Sequence, residues 1–232
     1  MPERPVRNAM TQDLLAGVKA VVFDAYGTLF DVNAAVQRYA ALVGPDADHL
    51  SEVWRNKQLE YSWTLSLMGR YAAFWDLTVR ALDHALALHP GVDPALRERL
   101  LDAYRDLDAY PEVPGVLAAL QKRGLRTAVL TNGNAAMVDR AVASAGLADH
   151  LDAVLSMDDA QVFKTHPDAY RIALTRLAVG EADVLFCSSN RWDVAGANAF
   201  GFRTAWVNRR GLPDEYADLA PTAVIGALDG LL

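Results

Sequence analysis

Short apolar runs that alternate with helical patterns constrain the fold of this chain more than any other feature of its sequence. Five such runs can be read, each of four or five residues: Lys19–Phe23, Arg126–Leu130, Ala153–Ser156, Asp183–Cys187 and Arg203–Val207. Runs of this length that are rich in apolar and β-branched side chains are typical of strands buried on both faces of a parallel sheet.

Helical patterns occupy the segments between these runs. Val116–Arg123 precedes Gly124, Ala135–Ala145 precedes Gly146, and a third helical pattern begins at Pro167. Glycine suits the end of a helix, and proline suits its first turn. Strands that alternate with helices predict βαβ units, and therefore an α/β fold with a doubly wound, Rossmann-like parallel sheet.

One long segment, residues 31–110, breaks this alternation because it contains no strand pattern. Leu59, Trp63 and Leu67 follow one another at i, i+4 and i+8, which predicts an apolar stripe along a helix. We therefore expect a helical cap at residues 31–110, inserted after the first strand of a core domain formed by residues 1–30 and 111–232.

Composition narrows the functional classes. The 232 residues carry 22 basic and 29 acidic side chains, so the net charge is −7, and this argues against a general binder of nucleic acid or of anionic membranes. The single cysteine, Cys187, cannot form an internal disulfide, and no apolar run reaches the roughly 18 to 20 residues of a membrane span. The N-terminal segment shows no signal-peptide pattern, and we expect a cytoplasmic protein.

Polar residues follow three of the predicted strands directly. They are Asp24, Thr131 with Asn132, and the run Ser188–Asn190, and Lys164 stands in a later loop. Each of these, taken alone, is more often a turn residue, a helix cap or a solvated lysine. Because ligands of open parallel sheets bind beyond the carboxyl ends of the strands, their joint occurrence predicts one site assembled from four places in the chain.

These residues also resemble the four motifs of the haloacid dehalogenase superfamily. The matching strings are Asp24–Leu29 (DAYGTL), Thr131–Gly133 (TNG), Lys164 and Ser188–Asp193 (SSNRWD). The longer strings Phe23–Asp31 (FDAYGTLFD), Arg55–Tyr61 (RNKQLEY) and Ser188–Ala197 (SSNRWDVAGA) are similar to the L-2-haloacid dehalogenase branch. The resemblance implies a core of that superfamily's fold with a helical cap, a small 2-haloacid as substrate, no cofactor and no metal, and a homodimer.

Two positions favour a dehalogenase over the phosphatases of the same superfamily. Those phosphatases use a second aspartate as the acid for a poor alkoxide leaving group, whereas Tyr26 stands there in this chain, and a halide needs no proton. Ser189 replaces the leading acid of the fourth motif, although Asp193 remains, and the loss of a carboxylate weakens a magnesium site. A magnesium-dependent phosphatase and a catalytically idle relative that acts as a binding module remain the alternatives.

The resemblance assigns the catalytic roles. Asp24 is implied to attack the α-carbon of an L-2-haloalkanoic acid with inversion, and water then hydrolyses the ester to a D-2-hydroxyacid. The other implied catalytic residues are Lys164 as the counter-ion, Arg55 at the halide, Thr131 and Asn132 at the substrate carboxylate, Asn190 and Asp193 at the water, and Thr28, Tyr170 and Ser188 as supporting groups.

The implied lining of the substrate pocket is Tyr26, Asn56, Leu59, Phe74 and Trp192, together with Thr131 and Asn132. By sequence alone, a place in the core is at least as probable for each aromatic residue, and Arg55 is balanced between a buried role and snorkelling to the surface. Asn56, Thr131 and Arg191 depart from the usual residues of the branch, which leaves the size of the substrate and the rate open.

Overall fold

The computed structural model describes residues 14–232. A sheet of six parallel strands lies at its centre, in the spatial order β3-β2-β1-β4-β5-β6. The strands are β1 Ala20–Phe23, β2 Arg126–Thr131, β3 Ala153–Ser156, β4 Val184–Ser188, β5 Arg203–Val207 and β6 Ala223–Ile225. The α/β fold with a doubly wound parallel sheet is thereby confirmed. The sixth strand was not predicted.

Helices cover the sheet and form the long segment after β1. They are α1 Ala34–Gln37, α2 Ala40–Val43, α3 Ala47–Leu67, α4 Phe74–Leu88, α5 Leu96–Arg105, α6 Val113–Lys122, α7 Ala135–Ser144, α8 Pro167–Leu177 and α9 Arg191–Phe200. Short 3₁₀ helices occupy Ala148–His150, Glu181–Asp183, Ala217–Leu219 and Leu228–Leu231. No helix within residues 14–232 has the length and apolar character that crossing a membrane requires.

The strand order puts the switch of chain direction at β1. The chain runs from β1 outward to β2 and β3, then returns to place β4 on the other side of β1. All four residues of β1 are fully buried, as its apolar sequence requires. The crevice beyond the carboxyl ends of β1, β2 and β4 is therefore where an open sheet of this type binds its ligand.

The helical insert shares one continuous hydrophobic core with the sheet. Leu50, Leu82 and Leu100, from α3, α4 and α5, are fully buried. Trp63 on α3 packs edge-on against Trp192 on α9, with ring centroids 5.3 Å apart. This contact brings α3 over the carboxyl edge of the sheet, where the strand-end residues lie. Leu67, the last residue of the predicted stripe, is exposed, so the stripe is buried only in part.

Candidate active site

Asp24 lies at the centre of the carboxyl edge, one residue after β1. Its backbone N–H donates a hydrogen bond to the carbonyl of Cys187 on β4 at 2.9 Å, which continues the pairing of the two strands. The residue is only 6% exposed. A carboxylate in such a place requires partners, because an unpaired charge away from water is costly.

Both oxygens of the Asp24 carboxylate receive hydrogen bonds. Lys164 Nζ donates to Oδ1 at 3.1 Å. Three donors reach Oδ2: Asn190 Nδ2 at 2.8 Å, Thr28 Oγ1 at 3.1 Å and Ser188 Oγ at 3.3 Å. Four donors around one carboxylate orient it and compensate for its removal from water, as a buried nucleophile requires.

Lys164 is completely enclosed between two carboxylates. Its Nζ lies 2.8 Å from Asp193 Oδ2 in addition to its contact with Asp24. Burial alone would lower the pKa of Lys164, but the charges of Asp193 and Asp24 outweigh burial and raise it. Lys164 is therefore a fixed cation.

Asp193 is the second buried carboxylate and is held from two sides. Lys164 Nζ bonds to Oδ2, and the Tyr170 hydroxyl donates to Oδ1 at 2.8 Å. Burial raises the pKa of Asp193 to about 6, although the charge of Lys164 opposes the shift. Asp193 therefore changes its charge closer to neutrality than an ordinary aspartate does.

The end of β2 and the loop that follows it supply two buried polar residues, Thr131 and Asn132. The backbone N–H of Gly133 donates to Thr131 Oγ1 at 3.0 Å, and the backbone N–H of Lys164 donates to Asn132 Oδ1 at 3.0 Å. The amide NH₂ of Asn132 has no hydrogen-bond partner among residues 14–232. It can therefore donate to a ligand.

Tyr26 closes the site next to this loop. A β-carbon on Gly133 would lie 2.8 Å from Tyr26 Cε2, so the glycine allows the ring to approach the backbone. The Tyr26 ring stacks on that of Tyr104 from α5, with centroids 5.7 Å apart and planes 15° apart. Burial raises the pKa of Tyr26 and of Tyr104, so both hydroxyls stay neutral.

Arg55 projects from α3 toward this aromatic pair. The charge of its guanidinium acts on the Tyr104 and Tyr26 hydroxyls and lowers the pKa of both, against the larger effect of burial. It forms no salt bridge within the described part of the chain. The half-buried side chain thus faces the site, which leaves a cation near Tyr26 that no carboxylate neutralises.

Tyr104 was not anticipated from the sequence. It is fully buried and also packs against Trp54, with ring centroids 5.1 Å apart. Its hydroxyl donates to Gln58 Oε1 at 3.4 Å, and Gln58 is in turn bonded to Thr78 on α4. Lying on α5 far from every motif, Tyr104 carries no sequence signal beyond that of an ordinary core aromatic.

The structure does not bring every predicted pocket residue to the site. Asn56 is exposed, because consecutive residues of an α-helix point about 100° apart and Arg55 already faces inward. The prediction that Asn56 lines the pocket is therefore corrected. Leu59 is buried, and Phe74 is buried against Phe163, with ring centroids 5.9 Å apart.

Two cavities adjoin the catalytic groups, and Trp192 lines both. The first, of about 630 Å³, has a mainly apolar wall that includes Trp63 and Phe163. The second, of about 500 Å³, includes Tyr26, Arg55 and Asn190. Small-molecule sites usually have this size and this mixture of apolar walls with few polar groups.

The donor set does not suit magnesium. No group of three or more His, Cys, Asp or Glu side chains that could hold a metal occurs within residues 14–232. The two carboxylates at the site, Asp24 and Asp193, are both bonded to Lys164, and Ser189 offers only a hydroxyl. A hard divalent cation prefers several free oxygen ligands, which this arrangement does not provide.

Comparisons with known proteins agree with the geometry. Residues 18–201 match the family model of the haloacid dehalogenase-like hydrolases. The (S)-2-haloacid dehalogenase 1 of Pseudomonas sp. (strain CBS-3) is 49% identical over 201 residues, covering 86% of this chain and 88% of that protein. The (S)-2-haloacid dehalogenase 4A of Burkholderia cepacia is 46% identical over 209 residues, covering 90% of each chain.

One similar solved structure contains a covalently bound substrate acid. The L-2-haloacid dehalogenase of Xanthobacter autotrophicus, solved with chloropropionic acid covalently bound, is 40% identical and superimposes with a TM-score of 0.81. The match covers 92% of this chain and 96% of that one.

Proposed function

The chain belongs to the haloacid dehalogenase-like hydrolase family, and from this premise we propose that it is a hydrolytic (S)-2-haloacid dehalogenase, which converts short L-2-haloalkanoic acids to D-2-hydroxyacids and halide. The observation that carries the proposal is the Asp24 carboxylate, buried and hydrogen-bonded by four donors, with Tyr26 where a phosphatase needs its second acid. The covalently bound relative supports the same chemistry for this family branch.

In the first step Asp24 displaces the halogen. An oxygen of its carboxylate attacks the α-carbon opposite the carbon–halogen bond, and the electron pair of that bond leaves with the halide. Oδ1 is the freer oxygen, because Lys164 is its single donor while Oδ2 has three. Attack from the opposite side inverts the α-carbon and leaves an ester with Asp24.

Two groups of donors hold the substrate in this attack. The free amide NH₂ of Asn132, with the hydroxyl of Thr131, binds the substrate carboxylate. Arg55 and the edge of Trp192 receive the departing halide, since a cation in a partly dry cavity stabilises developing negative charge strongly. Tyr26 and Leu59 enclose the alkyl group.

Water completes the cycle at the carbonyl carbon of Asp24. The water oxygen bonds to that carbon, and the bond between that carbon and the ester oxygen breaks. The ester oxygen, which came from the Asp24 carboxylate, leaves as the hydroxyl oxygen of the product with one proton from the water. Asn190 and Asp193 place and activate the water, while Lys164 and Tyr170 fix Asp193. The overall reaction consumes one water and releases halide and one proton.

The magnesium-dependent phosphatase is the less well supported alternative. Its metal needs several carboxylate ligands, whereas the site has only Asp24 and Asp193, both already paired with Lys164, and a serine at position 189. Tyr26, whose pKa is raised by burial, replaces the carboxylic acid that would protonate an alkoxide.

The proposal extends to architecture and setting. Residues 31–110 form the cap, and residues 14–30 with 111–232 form the core domain, while residues 1–13 of the predicted core lie outside the described residues; the helical character of α1–α5 supports this division. A homodimer is proposed because the end of α3 exposes Leu67 and Met68, which are 88% and 61% exposed. The single cysteine suits a cytoplasmic location. Light scattering of the purified protein and cell fractionation test these two points.

The decisive experiment follows chloride release from each enantiomer of 2-chloropropionate with excess EDTA present. We expect chloride and D-lactate from the L enantiomer alone, and loss of both in Asp24→Asn. Silence with both enantiomers, combined with Mg²⁺-dependent phosphate release from a panel of phosphoesters, would reverse the choice in favour of the phosphatase. Silence in every assay would favour the idle relative.

A further inference from the structure

The second cavity is unusually rich in arginine for a protein of net charge −7. Of the described residues that line it, four are arginines and one, Glu215, is acidic. The arginines are Arg55, Arg191, Arg209 and Arg210. The cavity reaches from Tyr26 and Asn190 in the site to the exposed Arg210, so it joins the catalytic groups to solvent.

Two of these arginines build the wall. Arg191 donates from Nε to Asp214 at 2.7 Å and from Nη2 to the carbonyls of Tyr216 and Leu219 at 2.7 and 3.0 Å. It thereby ties the loop after β5 to the start of α9. This explains the large charged side chain that departs from the usual residue of the branch.

Arg209 fixes the other end of the wall. Its Nη1 forms a 2.6 Å salt bridge with Glu112, its Nη2 donates to the carbonyl of Thr28 at 3.0 Å, and its guanidinium lies 3.8 Å from the centre of the Tyr110 ring. The charges of Arg191 and Arg209 are therefore largely balanced by Asp214 and Glu112.

The two remaining arginines have no carboxylate partner. Arg55 stands at the inner end, and Arg210 stands at the outer end with no hydrogen bond or salt bridge to any residue in the described range. A cation at each end of a lined passage lowers the energy of a small anion along its length. Among the described residues that line the first cavity there is no arginine, and its one lysine, Lys164, is already paired with Asp24 and Asp193.

We propose that this arginine-lined cavity is the passage for small anions, through which the haloacid carboxylate enters and the halide leaves, and that Arg210 is its outer anion-binding group. The inference rests on the proposed function, since it identifies the route by which that reaction exchanges its ions. It assigns a specific role to a residue outside the catalytic set.

The kinetic test reverses the charge of Arg210 at the outer end of the cavity. Arg210→Glu should lower kcat/KM for L-2-chloropropionate by about three- to tenfold at about 10 mM ionic strength, with a smaller loss in Arg210→Gln. The loss should shrink to under about twofold at about 0.5 M salt, where charges are screened within a few ångströms. The matched control is Lys122→Glu, which changes the net charge equally but lies at the end of α6, at the opposite edge of the sheet.

A second measurement does not depend on turnover. Trp192 and Trp206 line the cavity, so iodide reports the local potential by quenching their fluorescence, and neutral acrylamide reports access alone. Arg210→Glu should reduce iodide quenching and leave acrylamide quenching unchanged. Equal iodide quenching and equal kcat/KM in Arg210→Glu and Lys122→Glu would overturn the proposal that this cavity is the passage for small anions. Failure of the wild type to release halide, with charge-dependent quenching intact, would instead overturn the proposed function.

Discussion

At the scale of single residues, Asp193 links the chemistry of the site to pH. Burial raises its pKa from about 3.8 to about 6, so the carboxylate is protonated below that value and no longer supports Lys164 or the hydrolytic water. We expect kcat for L-2-chloropropionate to fall below about pH 6. Asp193→Asn should be slow and should lack this acid limb. An identical limb in Asp193→Asn would assign the titration to another group.

The same pKa shift of Asp193 affects stability in the opposite direction from activity: it stabilises the folded state at low pH, where activity is lost. A folded-state pKa above the unfolded one means that the folded chain binds an extra proton between about pH 3.8 and 6. The contribution of Asp193 to stability is therefore fully present below that range and is lost as the pH rises through about 6. The site gains its catalytic charge at some expense of folding free energy, as is common for buried functional groups.

Tyr104 allows a second test among the residues. Tyr104→Phe keeps the ring stacked on Tyr26 but removes the hydroxyl on which the charge of Arg55 acts. We expect kcat to fall by about tenfold with chloride as the leaving group and less with bromide, while KM changes little. Tyr39→Phe is the control in the same insert, since the Tyr39 hydroxyl has no hydrogen-bond partner in residues 14–232. Equal losses for chloride and bromide would mean that Tyr104 does not act through the halide.

The sequence predicted the polar residues that follow strands better than it predicted those on helices. Asp24, Ser188 and Thr131 meet because parallel strands end at one edge, a rule that needs no knowledge of packing. Tyr104 and the outward position of Asn56 depend on how α3 and α5 are rotated in the insert. That rotation is set by tertiary contacts and leaves no local pattern.

At the scale of elements, one glycine controls how closely α9 approaches the loop before α8. A β-carbon on Gly196 would lie 2.5 Å from the Tyr170 hydroxyl and 2.7 Å from Thr165 Cβ. Gly196→Ala should therefore lower the free energy of unfolding by about 1–3 kcal/mol and slow turnover, because Tyr170 holds Asp193. Urea unfolding and steady-state kinetics measure the two effects.

Gly115 on α6 provides the matched comparison. No atom lies within 4 Å of a β-carbon at that position, so Gly115→Ala should be neutral or stabilising by up to about 1 kcal/mol. A similar change in both variants would mean that the approach of α9 to Tyr170 does not determine the result.

Elements of several turns or with continuous burial were predictable, whereas short ones were not. The predicted strand Ala153–Ser156 matches β3, and the other four predicted strands agree to within one residue at either end. β6 has three residues, of which Val224 is exposed and the other two are partly buried, and α1 and α2 have four residues each. Such elements are too short to show a periodic pattern and are stabilised mainly by their neighbours.

At the scale of the whole molecule, the insert and the sheet domain together enclose two cavities that Trp192 separates. Trp192→Ala should join the two cavities, so that the enzyme accepts substrates with longer alkyl chains. The ratio of kcat/KM for L-2-chlorohexanoate to kcat/KM for L-2-chloropropionate should then rise by about tenfold or more, because each methylene that is accommodated is worth about 1–3 kcal/mol. The absolute rates should fall, because Trp192 also borders the halide. Trp75→Ala, in the insert but outside both cavity walls, should leave the ratio unchanged. An unchanged ratio in Trp192→Ala would mean that the chain length of the substrate is limited elsewhere than at Trp192.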